Sequence, residues 1–133
     1  MPNARTGYDF RLPSGKTLEV KTSKLFKPNS VSETSLRWTW HRPLGWTGKK
    51  KYDFLVLLGD KDLRFKYSSR SSEYVIFLIP HKKVGPAFGS GKDGKGIINL
   101  LSNPTTWKKS YFDFSQHEVS LLELKARLGL SSK

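Results

Sequence analysis

From residue 7 to 12 apolar and polar positions alternate, with Tyr8, Phe10 and Leu12 set against Asp9 and Arg11. A period of two predicts a strand. After Pro13-Ser14-Gly15 the alternation resumes with Leu18 and Val20 apolar and Thr17, Glu19 and Lys21 polar, so residues 8–22 read as a β-hairpin. Residues 23–35 are polar and carry no helical stripe; they read as a loop with at most one helical turn. Leu36, Trp38 and Trp40 alternate with Arg37, Thr39 and His41, a further strand that Pro43-Leu44-Gly45 stops, and residues 46–51 form a basic connection. Residues 52–58 and 73–79 are the most apolar segments, rich in β-branched and aromatic residues, as expected of central strands buried on both faces.

The remaining pattern is less regular. Residues 62–67 read as a short edge strand, 80–96 as a loop dense in Gly, Pro and Lys, and 97–101 as another short strand. Near the C-terminus Ser115 and Glu118 have the spacing of a capping box, Phe114 and Val119 that of a hydrophobic staple, and Leu121, Leu124 and Leu128 share one face with Leu122 at its flank. A helix over 116–128 closed by Gly129 is predicted. These elements give an α/β fold, bordering on α+β, with a mixed central sheet of about five strands and a helix against one face. No repeat or composition shift divides the 133 residues, so one domain is expected.

Charge narrows the function. Lys and Arg total 24 against 11 acidic residues, a formal +13 that points to a polyanionic partner. The absence of cysteine removes thiolate nucleophiles, disulfides and Cys-ligated zinc. No apolar run approaches the roughly 20 residues of a membrane span. With no signal-peptide pattern in residues 1–6, the expected location is cytoplasmic, in a bacterial, archaeal or phage-like setting, with no membrane partner.

The hairpin holds the sharpest chemistry. Pro13-Ser14-Gly15 suits a three-residue loop, a type I turn followed by a positive-φ residue, and this sets Phe10 opposite Leu18 and Asp9 opposite Glu19, with Lys21 further along the same face. Two carboxylates about 5 Å apart repel by roughly 3 kcal/mol at an effective dielectric of about 20. A hard divalent cation accepting one oxygen from each offsets the repulsion, and Lys21 adds a donor where a water or phosphate oxygen would sit. The ordinary reading is a solvated hairpin face with a cross-strand ion pair.

Gly7-Tyr8-Asp9-Phe10 and then Leu18-Glu19-Val20-Lys21-Thr22-Ser23 resemble the PD-(D/E)xK nuclease signature, and Phe26, the Trp38/Trp40 strand and Tyr52-Asp53-Phe54-Leu55-Val56 resemble the segments downstream of that signature in restriction-enzyme-like members. The resemblance spans residues 7–58. It implies a restriction-endonuclease-like core and Mg²⁺-dependent hydrolysis of DNA, double-stranded in the first instance, with Mn²⁺ as the substitute ion. Asp9, Glu19 and the Val20 carbonyl would ligate the metal, and Lys21 would orient or activate the attacking water. Tyr8 stands where the family has Pro, and only six residues precede Gly7 where a helix usually lies. A fragment of a larger protein, a helix rebuilt elsewhere, and a catalytically inactive nucleic-acid-binding member of the same fold therefore stay open, as do a ribosome- or RNA-associated basic protein, a homodimer and a multidomain assembly.

Lys24, Lys27, Arg37, Arg42, Lys49, Lys50 and Lys51 are the candidate phosphate contacts, with a plain charged surface as the ordinary reading of each. Trp38 and Trp40 read as core, while Trp46 and Trp107 read as loop residues better placed for exposure. The glycine-rich residues 89–96 imitate a phosphate-binding loop but lack both the Ser or Thr after Lys95 and a capped helix, so nucleotide hydrolysis is rejected. His41, His81 and His117 have no zinc spacing. Asp53 is held as an outer candidate. Asp113, Glu123 and Lys125 repeat the hairpin's spacing, but positions i and i+2 of a helix point about 200° apart and cannot converge.

Overall fold

The computed structural model describes residues 10–26, 36–45, 48–70, 72–87 and 96–130. Strands β1 (Phe10–Arg11) and β2 (Thr17–Ser23) form the expected hairpin, with Phe10 opposite Leu18 and Arg11 opposite Thr17. The loop closes through the Leu12 amide on the Lys16 carbonyl at 2.7 Å and the Gly15 amide on the Leu12 carbonyl at 2.8 Å. Gly15 takes φ +93°, the left-handed conformation such a loop requires of its last residue.

The chain then leaves the sheet for β3 (Arg37–His41) and returns in β4 (Phe54–Asp60), which lies parallel to β2. Antiparallel β5 (Tyr74–Pro80) and β7 (Glu118–Val119) complete a five-stranded mixed sheet in the order β1-β2-β4-β5-β7. β3 pairs instead with β6 (Ile97–Leu101) in a separate two-stranded sheet. The fold is mixed α/β, with two α-helices among the described residues, α1 (His81–Ala87) and α2 (Leu121–Arg127).

Side-chain alternation explains why β4 and β5 are apolar throughout. Leu55, Leu57, Val75, Phe77 and Ile79 meet Trp38, Trp40, Ile98, Leu100, Trp107 and Phe114 on one face. On the other, Val56, Ile76 and Leu78 meet Leu18, Val119 and Leu128, with Leu121 and Leu124 of α2 packed against them. The tryptophans also tie the layers by hydrogen bonds: Trp38 Nε1 donates to the Asp60 carbonyl at 2.9 Å and Trp40 Nε1 to that of Leu58 at 3.0 Å. A buried indole N–H needs such a partner.

Four expectations are corrected. Residues 62–67 form no strand, because the Asp62 carboxylate accepts from the Arg64 amide at 3.2 Å, from Arg64 Nε and Nη2 at 2.9 and 2.6 Å, and from Ser102 Oγ at 2.7 Å. That local side-chain turn outcompetes strand pairing. Residues 81–87 are helical rather than loop, since Val84 and Ala87 supply a buried stripe at i, i+3 and Pro86 falls in the last turn. The C-terminal helix begins later than expected: Asp113 caps a 3₁₀ turn (Phe114–His117), β7 comes next, and Ser120 caps α2 by accepting from the Glu123 amide at 3.0 Å. The Glu118 carboxylate is engaged by the Ser69 amide and hydroxyl, both at 2.9 Å, while Phe114 and Val119 enter opposite cores and form no staple. Trp107, expected to be exposed, is buried, its Nε1 donating to the Leu101 carbonyl at 2.7 Å.

Gly129 does close α2 as expected: at φ +74°, its amide reaches the Ala126 carbonyl and that of Leu130 reaches Lys125, a Schellman arrangement. None of the described helices is long and apolar enough to cross a membrane.

Asp62 gives the fold a testable acid sensitivity. Its hydrogen bonds from the Arg64 side chain outweigh desolvation and, with Ser102, hold its pKa down to about 2. A carboxylate depressed on folding stabilises the protein above its unfolded pKa of about 3.9, by the order of 2 kcal/mol here, and loses that contribution as pH falls through the folded value. Acid unfolding of Asp62→Asn against wild type is expected to show a gap that is full at pH 5 and shrinks toward pH 2. A gap independent of pH would refute the linkage.

Candidate functional site

Glu19 lies on β2 with Leu55 of β4 beside it, and its side chain is 1% exposed. Leu18 and Val20 turn toward α2, so Glu19, Lys21 and Ser23 project to the tryptophan side of the sheet. There Glu19 Oε2 receives Lys50 Nζ at 2.8 Å and Lys21 Nζ at 3.4 Å. Its other oxygen, Oε1, is buried and has no hydrogen-bond partner among the described residues. A buried carboxylate with one oxygen doubly paired and the other bare is satisfied in charge and unsatisfied in hydrogen bonding.

The wall around this carboxylate is built by the connection into β4. Tyr52 is buried and donates its hydroxyl to the Pro43 carbonyl at 2.7 Å. Burial, then the nearby Glu19 charge, pushes the Tyr52 pKa far up, so its hydroxyl stays a neutral donor. His81 packs edge-on to Tyr52 at 4.8 Å, and its Nε2 donates to the Lys50 carbonyl at 2.8 Å. The Lys50 amide donates to the Leu44 carbonyl at 3.0 Å. Lys50 is therefore fixed at its root, while Lys49 and Lys51 on either side are exposed.

Asp9 and Lys27 lie outside the described residues, as do Trp46 and the glycine-rich residues 89–95. Glu19 and Lys21, two residues apart on β2, share one face of the strand as its alternation requires. Val20 stands between them on β2, half-buried. Lys50, read from the sequence as a phosphate contact, proves to be the nearest cation to Glu19. The signal was present in the alternation of exposed Lys49 and Lys51 with inward Lys50 and Tyr52, but a run of three lysines hides it. Asp53 is exposed and caps the start of β2, accepting from the Thr17 amide at 2.8 Å and Thr17 Oγ1 at 3.2 Å; these bonds lower its pKa and commit it to structure.

Among the described residues Glu19 forms ion pairs with Lys21 and Lys50. Lys24 is exposed just beyond β2. Arg37 and His41 share the outer face of β3, opposite Trp38 and Trp40. Arg42 adopts φ +47°, unusual outside glycine, held by its amide on the Gly96 carbonyl at 3.0 Å and its carbonyl under the Gly45 amide at 2.8 Å. Glu123 and Lys125 both lie in α2, where their spacing cannot bring them together. Among the described residues no three His, Asp or Glu side chains gather into a metal-binding group. Compared with family models, with curated proteins and with solved structures, the chain matches none of them.

Proposed function

We propose that the chain is a metal-dependent endonuclease that hydrolyses DNA phosphodiester bonds on a restriction-endonuclease-like core, with Mg²⁺ as its ion and Mn²⁺ able to replace it. The observation that carries this reading is the bare Oε1 of Glu19 on the strand that also bears Lys21. Leaving such an oxygen unpaired costs about 1–3 kcal/mol, and a cation that completes its coordination removes the cost. Glu19 and the Val20 carbonyl would hold the ion together with Asp9, which precedes Phe10 in the sequence. Bound there, a divalent ion would supply polarisation of the phosphate and a more acidic water.

The chain's own groups do the rest. Lys21 Nζ donates to the attacking water or to a non-bridging phosphate oxygen, aligning the two for in-line displacement. Tyr52 and the layer behind it keep bulk water from Glu19. The excess of 24 basic over 11 acidic residues, Lys24, Arg37, Arg42, Lys49 and Lys51 among them, neutralises the DNA backbone.

Nicking of supercoiled plasmid tests the reading. Wild type is expected to nick with Mg²⁺ and not with EDTA, and Lys21→Ala to be slower by about 100-fold or more. A Lys21→Ala rate equal to wild type overturns the role of Lys21, and nicking indifferent to EDTA overturns the metal. A second reading, a catalytically inactive DNA-binding domain, draws on the Lys50 pair that already neutralises Glu19. It predicts salt-sensitive binding without turnover, indifferent to chelator.

A further inference from the structure

We propose that Lys50 is a displaceable counter-ion: it holds Glu19 while no metal is bound, and when a divalent cation takes the carboxylate its ammonium moves to a phosphate oxygen of the DNA. This rests on the metal-dependent reading above and names a residue outside the Asp/Glu-x-Lys pattern. Three observations support it. Among the described residues Lys50 Nζ, at 2.8 Å, is the nearest cation to Glu19, nearer than Lys21 at 3.4 Å, and both sit on Oε2 while Oε1 has no partner there. Two ammoniums on one carboxylate leave a surplus positive charge, so the pocket opposes a divalent cation until one ammonium withdraws.

The root and tip of Lys50 are also held differently. Its amide and carbonyl are fixed by Leu44 and His81, and its stem lies along Gly45, where an added Cβ would come within 3.2 Å of Lys50 Cβ. The ammonium, by contrast, is retained by Glu19, and the side chain is 21% exposed. A four-carbon stem anchored in this way can swing its tip to solvent while the backbone stays in place. Exposed Lys49 and Lys51 beside it mark that surface as the one a phosphate backbone would approach.

The test measures Mn²⁺ binding by electron paramagnetic resonance without DNA, and duplex binding by fluorescence anisotropy with and without Ca²⁺. Lys50→Gln is expected to bind Mn²⁺ about tenfold tighter than wild type, Lys50→Arg to stay within about twofold of it, and Glu19→Gln to lose binding. Lys50→Gln is further expected to weaken duplex binding only when Ca²⁺ is present, since without it the ammonium is already committed to Glu19. A merely structural lysine would not give these opposite signs.

Equal Mn²⁺ affinity in wild type and Lys50→Gln, with Glu19→Gln inactive in binding, overturns the proposal and leaves the metal site standing. Absence of Mn²⁺ binding in wild type defeats the metal site itself. Should Lys50→Gln fail to fold, lysine side-chain resonances of wild type under Mg²⁺ titration decide: the Lys50 ε-methylene signal must shift toward that of a free lysine, and an unmoved signal overturns the displacement.

Discussion

Gly59→Ala is expected to destabilise the fold by about 3 kcal/mol or more, a fall of roughly 10–15 °C in Tm. Gly59 is buried in β4, and a Cβ built there would lie 2.5 Å from Trp38 Nε1, 2.6 Å from Cε2 and 2.7 Å from Cδ1. Those are ring atoms of a fully buried side chain, wedged among Trp40, Tyr67, Phe77 and Trp107. The indole cannot retreat without breaking its bond to the Asp60 carbonyl, so overpacking and a lost hydrogen bond add. In a Trp38→Phe background the ring is smaller and the N–H is gone, and the penalty of the alanine should fall by about half. Thermal unfolding of the four proteins in that cycle measures both effects; an unchanged penalty in the Phe background would show that Trp38 is not what excludes the methyl group.

The second large effect is expected from Lys21→Met with Lys50→Met, which leaves Glu19 buried with no cation and should cost about 3–5 kcal/mol. Each single replacement keeps one ammonium on Oε2 and should cost less than half of that. Adding Glu19→Met to the double variant removes the stranded charge and should recover most of the loss, because an apolar side chain suits this face of the sheet beside Leu55. Urea unfolding of the single, double and triple variants reads the series. A triple variant no more stable than the double would mean that the lysines act through packing of their stems rather than through charge.

Where one local rule dominated, the sequence was sufficient. Pro13-Ser14-Gly15 fixed the turn and hence the Phe10/Leu18 register, and the alternation around Trp38 and Trp40 identified both a strand and its buried face. The unbroken apolar runs of β4 and β5 correctly implied cover on both sides, but could not say that a two-stranded sheet supplies one cover and α2 the other. At the C-terminus two Ser-x-x-Glu patterns, at residues 115–118 and 120–123, follow one another with a single residue between them. Only tertiary contacts choose between them, since Ser69 engages Glu118 and leaves Ser120 to cap the helix. Trp107, flanked by threonines and lysines, gave no periodic hint of its burial. For the candidate site, Glu19 and Lys21 were legible from hairpin geometry, whereas Lys50 reaches them through a loop whose path depends on Leu44 and His81.

The parallel pairing of β2 with β4 also governs when the buried Glu19 cluster can form. The bond from the Thr17 amide to Asp53 spans 36 residues, a long ring to close compared with the hairpin, whose strands meet across a short turn. Loop entropy delays such distant pairings, so Glu19 should remain hydrated on an early hairpin until β4 arrives. The segment that brings β4 home also carries Lys50 and Tyr52, so desolvation of the acid and delivery of its counter-charge happen in one event. A nascent chain would thus never hold the carboxylate dry and alone.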